Sequence, residues 1–72
     1  MTKEQKAILL LEVYNQETNR LRAEVLSQQA ELLVKQSPES ADEDLKKIND
    51  YYELEKGRIE RRFLRAICAL EG

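Results

Sequence analysis

Seventy-two residues carry twelve basic and fourteen acidic side chains, one cysteine, one proline, two glycines and no histidine, for a formal net charge of −2. A chain of this length holds at most one domain. Without histidine there is no serine–histidine or cysteine–histidine dyad and no imidazole metal site; a single cysteine builds neither a thiolate zinc site nor a disulfide framework, which points to a reducing compartment.

In chain order the first signal is Thr2–Gln5, which reads as a capping box: the threonine hydroxyl accepts from an early amide and the glutamine reaches back. The apolar run that follows, Ala7–Leu11, is too short for a signal peptide or a membrane span, so the expectation is a soluble, cytoplasmic protein. Neither proline nor glycine interrupts the chain before Pro38, and good helix formers fill most of the interval. A first helix over about 3–36 follows, roughly 50 Å long at the usual rise.

Ser37-Pro38-Glu39-Ser40 ends it, because the residue before a proline is disfavoured in the helical region. Either Ser37 with Pro38 or Ser40 with Glu43 starts a second helix over about 41–71, which stops at Gly72. Residues 37–54 carry a net −4 and residues 55–72 a net +2, while residues 1–36 balance. Glu39, Asp42, Glu43 and Asp44 sit where the helix dipole favours negative charge, so the acidic stretch has a structural reason.

Both stretches carry a heptad seam. The first runs through Ala7, Leu11, Tyr14, Thr18, Leu21, Val25, Gln28 and Leu32. If the chain folds at 38–39, residue i faces about 77 − i, and the opposite seam is Leu70, Ala66, Phe63, Ile59, Lys56, Tyr52, Asn49 and Leu45. Two stretches agreeing on one fold axis predict an all-α, coiled-coil-like antiparallel helical hairpin over residues 1–72. Asn49 would lie near Gln28, and Lys56 would pack its stem while keeping its ammonium wet.

The seam leaves many apolar residues unused. Ile8, Leu9, Leu10, Val13 and Ile67 gather at one end of the hairpin, and Leu26, Leu33, Val34 and Ile48 at the other. One two-helix contact cannot repay the entropy of ordering the whole chain. The hairpin is therefore expected to complete a four-helix bundle, as a homodimer or with a helical partner protein.

Arg58, Arg61, Arg62 and Arg65 fall at i, i+3, i+4 and i+7, on one face of the second helix. On the fold axis this row lies beside Asn19, Gln16, Asn15 and Glu12. Such forks suit an acidic protein segment or RNA phosphates, or else pair with Glu55 and Glu60. Cys68, one residue after Ile67 at the apolar end, reads as a small buried thiol. Gly57 stands alone, with no phosphate loop around it. No catalytic set, metal site, cofactor or small-molecule substrate is expected. The function class is a non-catalytic protein–protein interaction module: an adaptor, regulator or assembly subunit.

Met1-Thr2-Lys3, Lys6, the heptad hairpin and Ala41-Asp42-Glu43 at the start of the second helix resemble the Rop family, dimeric four-helix bundles that regulate an antisense RNA pair. The resemblance implies, as an alternative, a dimeric RNA-binding regulator. That family contacts RNA through lysine, asparagine, phenylalanine, glutamine and lysine on its first helix. The matching positions here are Lys3, Leu10, Tyr14, Thr18 and Val25, of which Lys3 matches and Tyr14 is a near match. An RNA function would therefore fall to the basic face of the second helix.

Overall fold

The computed structural model describes residues 1–71 as two helices, α1 (Lys3–Lys35) and α2 (Asp42–Glu71), packed against each other as a hairpin. Gly72, the expected stop of α2, lies outside the described residues.

α1 starts where the sequence places it. The Thr2 hydroxyl accepts from the Gln5 amide at 3.1 Å, and the Thr2 amide donates to Gln5 Oε1 at 2.9 Å. The helix ends when Gln36 turns extended, its N–H still donating to the Leu32 carbonyl at 2.9 Å. Neither serine opens α2, which begins at Asp42 with the Ala41 carbonyl accepting from the Leu45 amide; Ser37 closes only the turn before it. The Ser37 carbonyl accepts from the Ala41 amide at 3.0 Å, and Ser37 Oγ accepts from the Ser40 amide at 3.4 Å. The Ser40 hydroxyl is spent on Ser37, so the box with Glu43 does not form.

The fold axis is as the heptads require. Tyr14 and Phe63 stack with ring centroids 4.8 Å apart. Tyr51 reaches Glu24 at 3.4 Å and Arg62 reaches Glu17 at 2.7 Å, each pair within two positions of the ideal axis. Leu21, Val25 and Ile59 form the buried centre, with Tyr14, Ile48 and Tyr52 packed around it. Lys56 is half-buried and holds its ammonium 5.9 Å from the Tyr52 ring centroid, close enough for a cation–π contact.

The seam drifts at both ends. Leu11 is exposed and Leu10 half-buried in its place; Asn49 and Gln28 are exposed, and Ile48 turns inward instead. Drift is expected when helices of 3.6 residues per turn follow a 3.5-residue repeat. Ala41, outside both seams, is fully buried at 0% exposure. It lies where the reversing chain brings the helix ends together.

The result is a slab 52 × 16 × 8 Å between Cα extremes. Its radius of gyration, 16.5 Å, compares with about 11 Å for a compact domain of this length. Its accessible surface, 5752 Å², is about 1,100 Å² more than a folded monomer of 8.4 kDa normally shows.

Candidate interaction surface

Helices this long bury one stripe against each other and present the rest. Ile8, Leu9, Val13, Leu26, Leu33 and Val34 are all exposed, from 45% for Leu9 to 87% for Val34. The other three residues expected to carry association, Leu10, Ile48 and Ile67, are half-buried within the hairpin. Ile48 packs on the central cluster, and Ile67 lines a shallow groove with Ala7 and Leu70. Met1, Leu11, Leu54 and Leu64 add exposed apolar surface. Leu64 stood out in neither the seam nor the surplus apolar set, because it is a single leucine among arginines.

One broad face of the slab has a defined relief. At the end where the chain termini lie, Leu10, Val13, Tyr14, Ile59, Phe63 and Ala66 floor an apolar slot of about 130 Å³. The Glu17–Arg62 ion pair stands at its rim. Arg62 also belongs to the next groove along α2, lined by Glu55, Arg58, Arg61 and Arg65, so slot and arginine row are continuous. Toward the turn, Glu31, Leu32, Lys35, Asp44 and Ile48 line a third depression.

The four arginines thus share one groove, with unequal freedom. Arg58 pairs with Glu55 at 3.1 Å and Arg62 with Glu17 at 2.7 Å. Arg61 and Arg65 make no ion pair among the described residues. The neighbour of the row on α1 is Glu17, not the amides from Asn15 to Asn19, and among the described residues Glu60 pairs with no arginine. All four guanidinium residues are exposed on the outer part of α2, except that Arg62 leans across to α1.

Tyr51 lies further along this face. Its hydroxyl donates to Glu24 Oε1, and the Glu24 carboxylate beside it, helped by partial desolvation and by Glu55, holds the phenol above its ordinary pKa. Cys68 is exposed, contrary to the buried thiol expected from its apolar neighbours. It follows Ile67 on the outer side of α2, away from the seam. Among the described residues, no cluster of three or more acidic or cysteine side chains is arranged to hold a metal ion, and no helix is long and apolar enough to cross a membrane.

No known family model matches the chain, and neither a curated protein nor a solved structure does.

Proposed function

We propose that this chain is a small, non-catalytic interaction module of the cytoplasm, an adaptor, regulator or assembly subunit that works by helix–helix packing. On this reading the hairpin is half of a four-helix bundle, completed by a second copy or by the helices of a partner. The observation that carries it is the surplus surface. An excess of about 1,100 Å² per chain is what one partner contributes to an obligate interface, somewhat above the roughly 800 Å² of an ordinary complex. The apolar side chains exposed at both ends of the slab are of the kind such an interface covers.

Sedimentation equilibrium of the isolated chain, with circular dichroism on the same sample, tests this. Leu10 lines the slot and Leu33 is exposed near the turn, so Leu10→Asn and Leu33→Asn probe different parts of the surface. Loss of assembly in either variant supports the reading. Unchanged assembly and stability in both overturns it.

A second reading is a dimeric RNA-binding regulator that lays the arginine row along phosphates. The guanidiniums of Arg61 and Arg65, which make no ion pair among the described residues, favour it. It requires RNA binding that weakens with salt and with Arg61→Ala and Arg62→Ala. No RNA shift at low salt removes it.

A further inference from the structure

Resting on the reading that the hairpin completes its core by helix packing, we propose that the groove on its arginine side receives one acidic, amphipathic helix of a different protein. The incoming helix lays an apolar stripe into the slot and its carboxylates along Arg58, Arg62 and Arg65, closing a three-helix unit.

Two stripes wall this groove. On α1, Lys6, Leu10, Val13, Glu17, Arg20 and Glu24 recur four and three apart; on α2, Tyr51, Glu55, Arg58, Arg62 and Arg65 do the same. That spacing keeps each set on one side of its helix. The Glu17–Arg62 and Glu24–Tyr51 contacts put both stripes on the same face of the slab. Tyr14, Ile59, Phe63 and Ala66 form the floor between them. With Arg61, which lines the same groove, the walls hold six basic residues against three acidic ones, on a chain whose net charge is −2.

Shape selects a helix, and charge selects its sign. An open groove between two antiparallel helices is where a third helix packs its side-chain ridge. The slot, about 130 Å³, takes a large aliphatic side chain. Arg58 and Arg65 stand about 10 Å apart along α2, so carboxylates spaced three and four residues apart on the incoming helix meet the row in turn. Arg65 makes no ion pair among the described residues, and Arg62 exchanges Glu17 for an incoming carboxylate at the rim. A second copy does not supply this ridge from its own acidic stretch. Beside Asp42, Glu43 and Asp44, the apolar Leu45 and Ile48 are already half-buried within the hairpin. Nucleic-acid phosphates would engage the arginines and leave the slot uncovered.

The experiment is fluorescence anisotropy of labelled synthetic peptides titrated with the full chain at low and high salt. One peptide has three heptads with leucine at the seam and glutamate flanking it; the other has lysine for every glutamate. The glutamate peptide should bind roughly tenfold tighter or more, and the gap should narrow as salt rises. Arg58→Glu/Arg65→Glu should reverse that preference with helicity retained. Val13→Glu changes an exposed slot residue and should weaken the glutamate peptide by a similar factor. Leu26→Glu carries the same charge on the opposite side of α1 and should leave it unchanged. Equal affinity for the two peptides, or a preference indifferent to the arginine variant, overturns the proposal. So does an equal loss in Val13→Glu and Leu26→Glu, or binding of neither peptide, including the case where polyuridylate binds instead. Sedimentation equilibrium of the chain alone separates this failure from that of the packing reading. A self-associating chain that binds neither peptide overturns this occupant only; a stable helical monomer that binds neither overturns both.

Discussion

Thr18 sits on the seam with its Oγ1 buried and without a hydrogen-bond partner. An unmet buried hydroxyl costs about 1–3 kcal/mol. Valine keeps the shape and removes the defect, so Thr18→Val is expected to raise stability by about 1 kcal/mol, read as a shift of the urea midpoint at constant slope. Tyr51 gives a pH dependence. Its folded pKa lies above the unfolded one, so the contact with Glu24 contributes fully below about pH 10 and is lost as pH rises toward the folded value. Stability should fall over that alkaline window, and the tyrosinate absorbance of Tyr51 should emerge late. Glu24→Gln should move that titration back toward the ordinary range. A titration that does not move would mean the carboxylate is not the cause.

The helices themselves show which features the sequence discloses. The fold axis was legible because Tyr14, Leu21 and Val25 recur on a heptad and meet Phe63, Ile59 and Tyr52 on another, and the Tyr14–Phe63 stack is its direct consequence. The inward residue in the run Ile8-Leu9-Leu10-Leu11 was not legible: four consecutive apolar side chains point in every direction, and only packing selects Leu10. Ala41 was missed because its burial comes from chain reversal rather than periodicity, and the Glu17–Arg62 contact because two long side chains can lean either way. At the start of α1, Thr2→Ala should cost about 1 kcal/mol through loss of the cap. Within α2, a methyl group on Gly57 would meet Arg61 Nη2 at 3.6 Å, an ordinary contact. Nothing in the hairpin requires glycine there, so Gly57→Ala should stabilise the helix by about 1 kcal/mol. Thermal melts of both variants, compared at one protein concentration, check the pair.

For the molecule as a whole, a thin slab with four buried apolar residues among those described stands on little core of its own. If association supplies the rest, melting must depend on concentration, because only the folded state binds. The melting temperature should rise across a hundredfold increase in protein. A melting temperature flat over that range would mean that the single seam is sufficient.

The reversal at Ser37–Ser40 also has a consequence in time. Contacts across the seam close ever larger loops with distance from the turn: Gln36 and Asp44 are 8 residues apart, Glu17 and Arg62 are 45. Closing the larger loop first costs about 1.5 kcal/mol more in chain entropy. The helices should therefore zip from the reversal outward. Truncating Ile48 should slow folding, whereas truncating Phe63 should mainly hasten unfolding, a division that φ-values would expose. The apolar slot would then be the last part of the hairpin to take shape and the first to open.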